Sequence, residues 1–149
     1  MKRFILGVII VFFMVGVGYC DWTVRRVSGN QYTLTQTFTA SGTTFSASNF
    51  TVTSVYEGFW VSHVKLVPGA TGPTDDCDID ILVGSNDILG GNGTDIMDES
   101  VSGYCTAYGS GGDAQYPLTL GEVLAVTPDA ASENAVSSAS TTVTIVLER

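Results

Sequence analysis

Apolar and polar residues alternate along much of the chain beyond residue 30, and this pattern predicts β-strands. In Gln31–Thr39, threonines occupy one face, and Tyr32, Leu34 and Phe38 occupy the other. Threonine, valine and aromatic residues dominate such stretches, as they do in strands generally. We therefore predict an all-β domain, an antiparallel β-sandwich of jelly-roll or immunoglobulin-like type. The predicted strands are residues 31–39, 45–53, 59–67, 78–83, 118–126 and 141–147.

Three stretches lack this alternation. Residues 21–30 are expected to be an extended lead-in to the first strand, residues 90–115 a glycine-rich loop, and residues 128–134 a turn. A loop as long as the second is usually functional, mobile or held by a cross-link.

The predicted strand at residues 59–67 is apolar on both faces. Trp60, Val64 and Leu66 share one face, and the other face carries Phe59, Val61 and Val67. Isolated sandwiches usually keep their outer faces polar, so an apolar outer face suggests a contact with a neighbour. Phe59, Val61 and Val67 are therefore interface candidates.

The N-terminus has the layout of a secretory signal peptide. A basic start at Met1, Lys2 and Arg3 precedes an apolar run over residues 4–17, which is shorter than the ~20 residues of a membrane-spanning helix. We expect residues 1–20 to be a signal peptide, cleaved after Gly18 or Cys20. A lipid anchor at Cys20 and a retained hydrophobic anchor are the alternatives. Residues 21–149 then form a single domain.

The chain is strongly acidic, with a formal net charge of −9. After signal removal, four cations would remain against fifteen acids, a net charge of −11. Such a surface repels nucleic-acid phosphates and anionic membranes, which basic patches bind. We expect neither as a partner.

Cys77 and Cys105 are the two cysteines beyond residue 20. An even pair in an exported chain is most simply a disulfide, and we predict that these two are bonded. Two buried free thiols are the alternative. A zinc site is not expected, because the lone histidine, His63, and two thiols lack the paired spacing of such sites.

One segment resembles part of a calcium-binding repeat. Residues 90–98 read GGNGTDIMD and fit the nonapeptide G-G-x-G-x-D-x-U-x. Asp87, Asp95 and Asp98 are the candidate calcium ligands. About one and a half repeats are present, whereas at least about three must stack to complete such sites. We therefore predict no cofactor and no calcium requirement for folding.

Catalytic residues are not evident in the sequence. His63 lies within an apolar strand pattern, and no G-x-S-x-G segment supplies a serine for it to activate. We expect a non-enzymatic protein.

Residues 56–149 resemble a small domain found in tailed-phage and prophage genomes. The resemblance lies in the order of the segments VKLVPG, PTDDCDIDIL, NDILGGNGTD, YPLTLGEVLAV and TTVTIVLER. It implies a β-sandwich on the outside of a virion, as a decoration, fibre-base or tail-associated subunit. The implied partners are other virion subunits, including further copies of this chain. Both cysteines and the longer glycine-rich loop depart from the family pattern.

A signal peptide is unusual for a protein that assembles into virions inside the cell. The alternative is therefore a secreted bacterial surface module for binding or adhesion, which could assemble by strand addition. Both hypotheses predict an extracellular or virion-surface protein that works by protein contact.

Overall fold

The computed structural model describes residues 22–41, 44–72, 77–96, 102–107, 116–130 and 139–149. These ranges contain strands and turns, and none of their segments is a helix long and apolar enough to cross a membrane. The predicted signal segment, residues 1–20, lies outside them. The described strands are β1 (Thr23–Ser28), β2 (Gln31–Thr39), β3 (Ser48–Thr51), β4 (Trp60–Pro68), β5 (Cys77–Val83), β6 (Asn86–Asp87), β7 (Gly103–Thr106), β8 (Val123–Ala130) and β9 (Ser140–Glu148).

The strands form two antiparallel sheets, consistent with a β-sandwich. The larger sheet has the order β1-β2-β9-β4-β7, and the smaller sheet has the order β3-β8-β5-β6. Apart from β1, the strands pair as a nested set: β5 with β6, β4 with β7, β3 with β8, and β2 with β9. β1 is an additional edge strand that pairs with β2. The prediction of an all-β protein is confirmed.

Alternating residues of the strands build one core. Leu34 of β2, Ile81 of β5 and Ile145 of β9 are fully buried, and the threonines next to Leu34 and Ile145 are more exposed. Burying a side chain of this size stabilises the fold by roughly 1.5–3 kcal/mol. The period-two pattern therefore identifies the inner faces of these three strands.

The structure differs from the prediction in all three irregular stretches and in the bounds of several strands; β3, for example, covers Ser48–Thr51 of the predicted residues 45–53. Residues 21–30 contain β1, and residues 90–115 contain β7. β8 begins at Val123 instead of Leu118, because residues 118–122 form a turn in which Gly121 has a φ of 86°. It continues to Ala130, so the predicted turn at residues 128–134 does not begin at Pro128. Residues 131–138 lie outside the described ranges.

Candidate functional site

The glycine-rich turn after β5 is organised by the carboxylate of Asp87. Its Oδ1 accepts a hydrogen bond from the Leu89 amide at 2.9 Å, and its Oδ2 accepts one from the Gly91 amide at 2.7 Å. Gly90 and Gly91 have φ values of 61° and 79°, which glycine adopts without a steric cost. The carboxylate thus holds the turn closed.

The same turn covers the edge of β5. The amide of Ile79 donates to the Gly93 carbonyl at 2.7 Å, and the amide of Ile96 donates to the Cys77 carbonyl at 3.2 Å. A Cβ at Gly93 would lie 1.9 Å from the carbonyl oxygen of Ile79, so this approach requires glycine. The segment that matches the calcium repeat therefore caps a sheet edge.

The candidate calcium ligands are not part of a metal-binding cluster in the described part of the chain. Both carboxylate oxygens of Asp87 accept amide hydrogen bonds. The Asp95 amide donates to Oδ1 of Asp78 at 2.6 Å, and Asp95 itself has a φ of 50°. Asp98 lies outside the described residues. Among the residues described, no group of three or more histidine, cysteine or acidic side chains is arranged to hold a metal ion, and calcium needs about six to eight oxygen ligands.

Cys77 and Cys105 are buried thiols, and the structure does not join them in the predicted disulfide. Cys77 lies in β5 of the smaller sheet, and Cys105 lies in β7 of the larger sheet. Burial raises the pKa of the Cys105 thiol to about 11, so the nucleophilic thiolate is scarce at neutral pH.

His63 lies in β4 and is partly buried. Its ring stacks against Tyr104 of β7, with ring centroids 5.0 Å apart and an interplanar angle of 36°. Its Nδ1 lies 3.2 Å from Oγ of Ser62, and these two atoms form a hydrogen bond. No carboxylate orients the ring in this part of the structure, so the arrangement of a catalytic triad is absent there.

The interface prediction for β4 is wrong for Phe59 and Val61. Both are buried, with exposed fractions of 3% and 4%, and only Val67 is partly exposed. The pairing of β4 with β9 shifts between Val61 and His63, which makes Ser62 an extra, bulged residue. A bulge of one residue reverses which face later side chains occupy.

The bulge brings both predicted faces of β4 into the core. Val61 pairs with Leu147, and Val64 pairs with Ile145, and each of these four residues is buried. Phe59 packs at the end of the same core, against the ring of Tyr32 at 5.4 Å. The hydrophobic pattern alone could not reveal the bulge, because Ser62 is a small residue that carries no bulge signal.

Charged residues are divided between the two sheets. Strands of the smaller sheet carry the acids Asp78, Asp80, Asp87 and Asp129, and neither lysine nor arginine. Strands of the larger sheet carry Arg25, Arg26 and Lys65, and a single acid, Glu148. Glu148 accepts a hydrogen bond from Gln31 at 2.8 Å. The two sheets therefore carry opposite net charge.

The outer face of the larger sheet is rich in hydroxyl groups. Thr37 and Thr142 share a hydrogen bond of 2.9 Å between β2 and β9, and Thr35 and Thr144 share one of 3.4 Å. Tyr104, 58% exposed, lies on the same sheet. The face is polar and satisfies part of its hydrogen bonding internally.

The edge strand β1 is the most exposed strand of the larger sheet. All of its residues are exposed, including Val24 and Val27 at 39% and 54%. Prediction from the sequence missed this strand because its two arginines interrupt the apolar alternation. The outer backbone edge of β1 has no strand partner among the described residues, and the strand carries two cations, Arg25 and Arg26. β1 is therefore the candidate contact site in the described part of the chain.

Comparison of the chain with protein-family models, with curated proteins and with solved structures gave no match. The fold and the candidate site define an all-β protein with two antiparallel sheets and an exposed edge strand. The strands of the smaller sheet carry net negative charge, and those of the larger sheet carry net positive charge.

Proposed function

We propose that this chain is a phage virion-associated structural protein, such as a decoration or tail-associated subunit, which acts through protein contacts and catalyses no reaction. The resemblance of residues 56–149 to tailed-phage domains and the acidic all-β composition support this function. The partial burial of His63, without a carboxylate partner in the described residues, supports a packing role for the histidine.

Within the all-β class, we propose a jelly-roll topology. A jelly roll is an antiparallel ribbon folded over on itself, so that its first strand pairs with its last and its middle strands pair with each other. The nested pairs from β2/β9 to β5/β6 follow this rule, and the β4/β9 and β5/β8 pairs join the two halves of the ribbon. An immunoglobulin-like domain has a different order of strands. Jelly rolls occur in viral capsid proteins and in lectins, so the topology supports a virion role by analogy.

The observation that carries the functional proposal is the division of charge between the sheets. A subunit within an assembly needs distinct surfaces for distinct neighbours, and charge complementarity selects partners and suppresses wrong ones. The acids of the smaller sheet and the arginines of β1 provide two such surfaces on one small domain. Each would contribute to an interface of at least ~1,000 Å² in an assembled particle.

Purified particles from the phage or cell that encodes the chain provide the test. Mass spectrometry of particles purified at low ionic strength, where charge-based contacts are retained, is expected to detect the protein with the other structural proteins. Analytical ultracentrifugation of the isolated protein, alone and with particles that lack it, is expected to show binding to particles. Absence from particles, together with a monomer that binds none, would overturn the proposal.

The second candidate function is that of a secreted bacterial surface module for binding or adhesion. The signal-like layout of residues 1–20 favours it. Intact mass of the protein from its native source separates the two candidates, because secretion predicts a chain that begins after Gly18 or Cys20. A cell-surface location and a processed N-terminus, without any virion association, would favour this module.

A further inference from the structure

The strand β1 extends beyond the smaller sheet. Every other strand of the larger sheet contains at least one buried residue, whereas all residues of β1 are exposed. The smaller sheet ends at β3, where Ser48 donates a hydrogen bond to Gln36 of β2 at 2.7 Å. The smaller sheet therefore extends as far as β2, and β1 lies beyond its edge with no strand of the smaller sheet packed against it.

The outer side of β1 has no strand partner in the described chain, since β1 pairs with β2 alone. The pairing of β1 with β2 is regular from Thr23 to Arg26, and Val27 is an extra, bulged residue. The outward N–H and C=O groups of the regular part form a short row to which a further strand can add. Val24 and Val27 remain exposed beside this row and offer apolar contacts to the side chains of an added strand. The edge therefore provides both backbone hydrogen bonds and apolar surface.

Arg25 and Arg26 determine which strand fits this edge. They point to opposite faces of the sheet, because Arg25 pairs with Thr33 and Arg26 pairs with Tyr32. The Arg26 side chain donates a hydrogen bond to the Ser28 carbonyl at 3.1 Å. Among the described residues, no carboxylate forms an ion pair with Arg25 or Arg26. An added strand would thus meet one unneutralised guanidinium on each face.

A second copy of β1 does not fit. Antiparallel pairing of two β1 strands over their full length sets Arg25 of each opposite Arg26 of the other. Shifting the register by one residue sets Arg25 opposite Arg25, or Arg26 opposite Arg26. Like charges directly opposite each other destabilise a strand pair, so the arginines act against symmetric self-pairing and favour an acidic strand.

We infer that β1 is the acceptor strand for an extended segment of a partner protein, with two adjacent acidic residues flanked by β-branched residues. The acids lie opposite Arg25 and Arg26, one on each face, and the flanking residues pack against Val24 and Val27. This inference rests on the proposed function, because it names the partner chemistry of one contact surface.

The test uses the full-length, ¹⁵N-labelled protein and two short peptides, Thr-Val-Glu-Glu-Val-Thr and Thr-Val-Lys-Lys-Val-Thr. The glutamate peptide is expected to shift the amide resonances of β1 and to bind on the order of tenfold more tightly than the lysine peptide at low salt. The difference is expected to shrink at ~0.5 M salt, because exposed charges are then screened.

Charge-reversal variants decide the outcome. The double variant R25E/R26E is expected to prefer the lysine peptide. The matched control K65E changes an exposed cation on the same sheet away from the edge, and it should keep the wild-type preference. Equal binding of both peptides, binding of neither, or a reversed preference in K65E would overturn the inference.

Particle assays separate this inference from the proposed function. If the wild-type chain is present in virions and R25E/R26E is incorporated as well as K65E, the acceptor role of β1 is wrong, and the structural role stands. If the wild-type chain is absent from virions and binds none, the structural role is wrong. The peptide measurements then still decide the chemistry of the edge.

Discussion

Replacing Asp87 by alanine tests whether the glycine-rich turn is held by hydrogen bonds or by a bound cation. The substitution removes the acceptors of the Leu89 and Gly91 amides. A hydrogen bond to a charged group contributes about 1.5–3 kcal/mol where it is shielded from water. Because Asp87 is exposed, we expect a total loss of about 1–2 kcal/mol for the pair. For a domain of this size, that corresponds to a fall in Tm of roughly 4–8 °C.

Thermal melts of the Asp87→Ala variant and the wild type, followed by circular dichroism with calcium and with chelator, provide the measurement. We expect the variant to melt lower by the same amount in both conditions. Glu57→Ala is the control, because Glu57 is an exposed acid without a hydrogen bond in the described structure, and its Tm should be unchanged. A rise of more than about 10 °C with calcium in the wild type alone would refute the reasoning and revive a metal site at Asp87.

Three further predictions concern other parts of the fold. Gly93→Ala should destabilise the protein by about 1–3 kcal/mol, because its Cβ would meet the carbonyl of Ile79, and chemical denaturation should show Gly29→Ala to be nearly neutral. Burial raises the pKa of Glu122, but hydrogen bonds from Thr119 and Tyr116 together outweigh it, so the folded-state pKa is lowered. The hydrogen bonds to the Glu122 carboxylate therefore stabilise the folded protein above the unfolded-state pKa of this group. This stabilisation is lost as pH falls through the folded-state pKa. The destabilisation by Glu122→Gln should therefore be largest near neutral pH in urea melts and disappear in acid. Both cysteines should resist alkylation until the protein is unfolded, and a cross-linked peptide in non-reduced maps would contradict this.

The strands that the sequence predicts best are those with one face in the core and a regular register. β2 has the predicted bounds, and β9 differs by one residue at each end, because threonine alternates with apolar residues along both. These strands pair with each other without a register shift. A period of two residues describes β2 throughout and β9 as far as Ile145, after which Val146 is buried as well. The local sequence pattern is enough to predict a strand where the pairing with its neighbour has no register shift.

The pattern fails where neighbours decide the structure. In β4, the register shift at Ser62 is a property of the pairing with β9, and a single sequence does not contain it. β1 and β7 are held by long-range pairing with β2 and β4, and neither carries a clear amphipathic signal of its own. The proposed contact site was missed for this reason, since an edge strand is defined by the strand it pairs with and by the side it leaves open.

The glycine-rich turn shows why a motif can predict local geometry without predicting a ligand. Glycines with positive φ and a carboxylate that accepts backbone amides are what a tight, repeat-like turn requires, and the turn at Asp87, Gly90 and Gly91 has both. In a stacked repeat, neighbouring turns would supply further oxygens to a cation. Here the neighbour is β5, which supplies the amide of Ile79 and the carbonyl of Cys77 to Gly93 and Ile96. The same local geometry therefore closes a sheet edge, and β1 is left as the edge of the larger sheet at which strand addition is proposed.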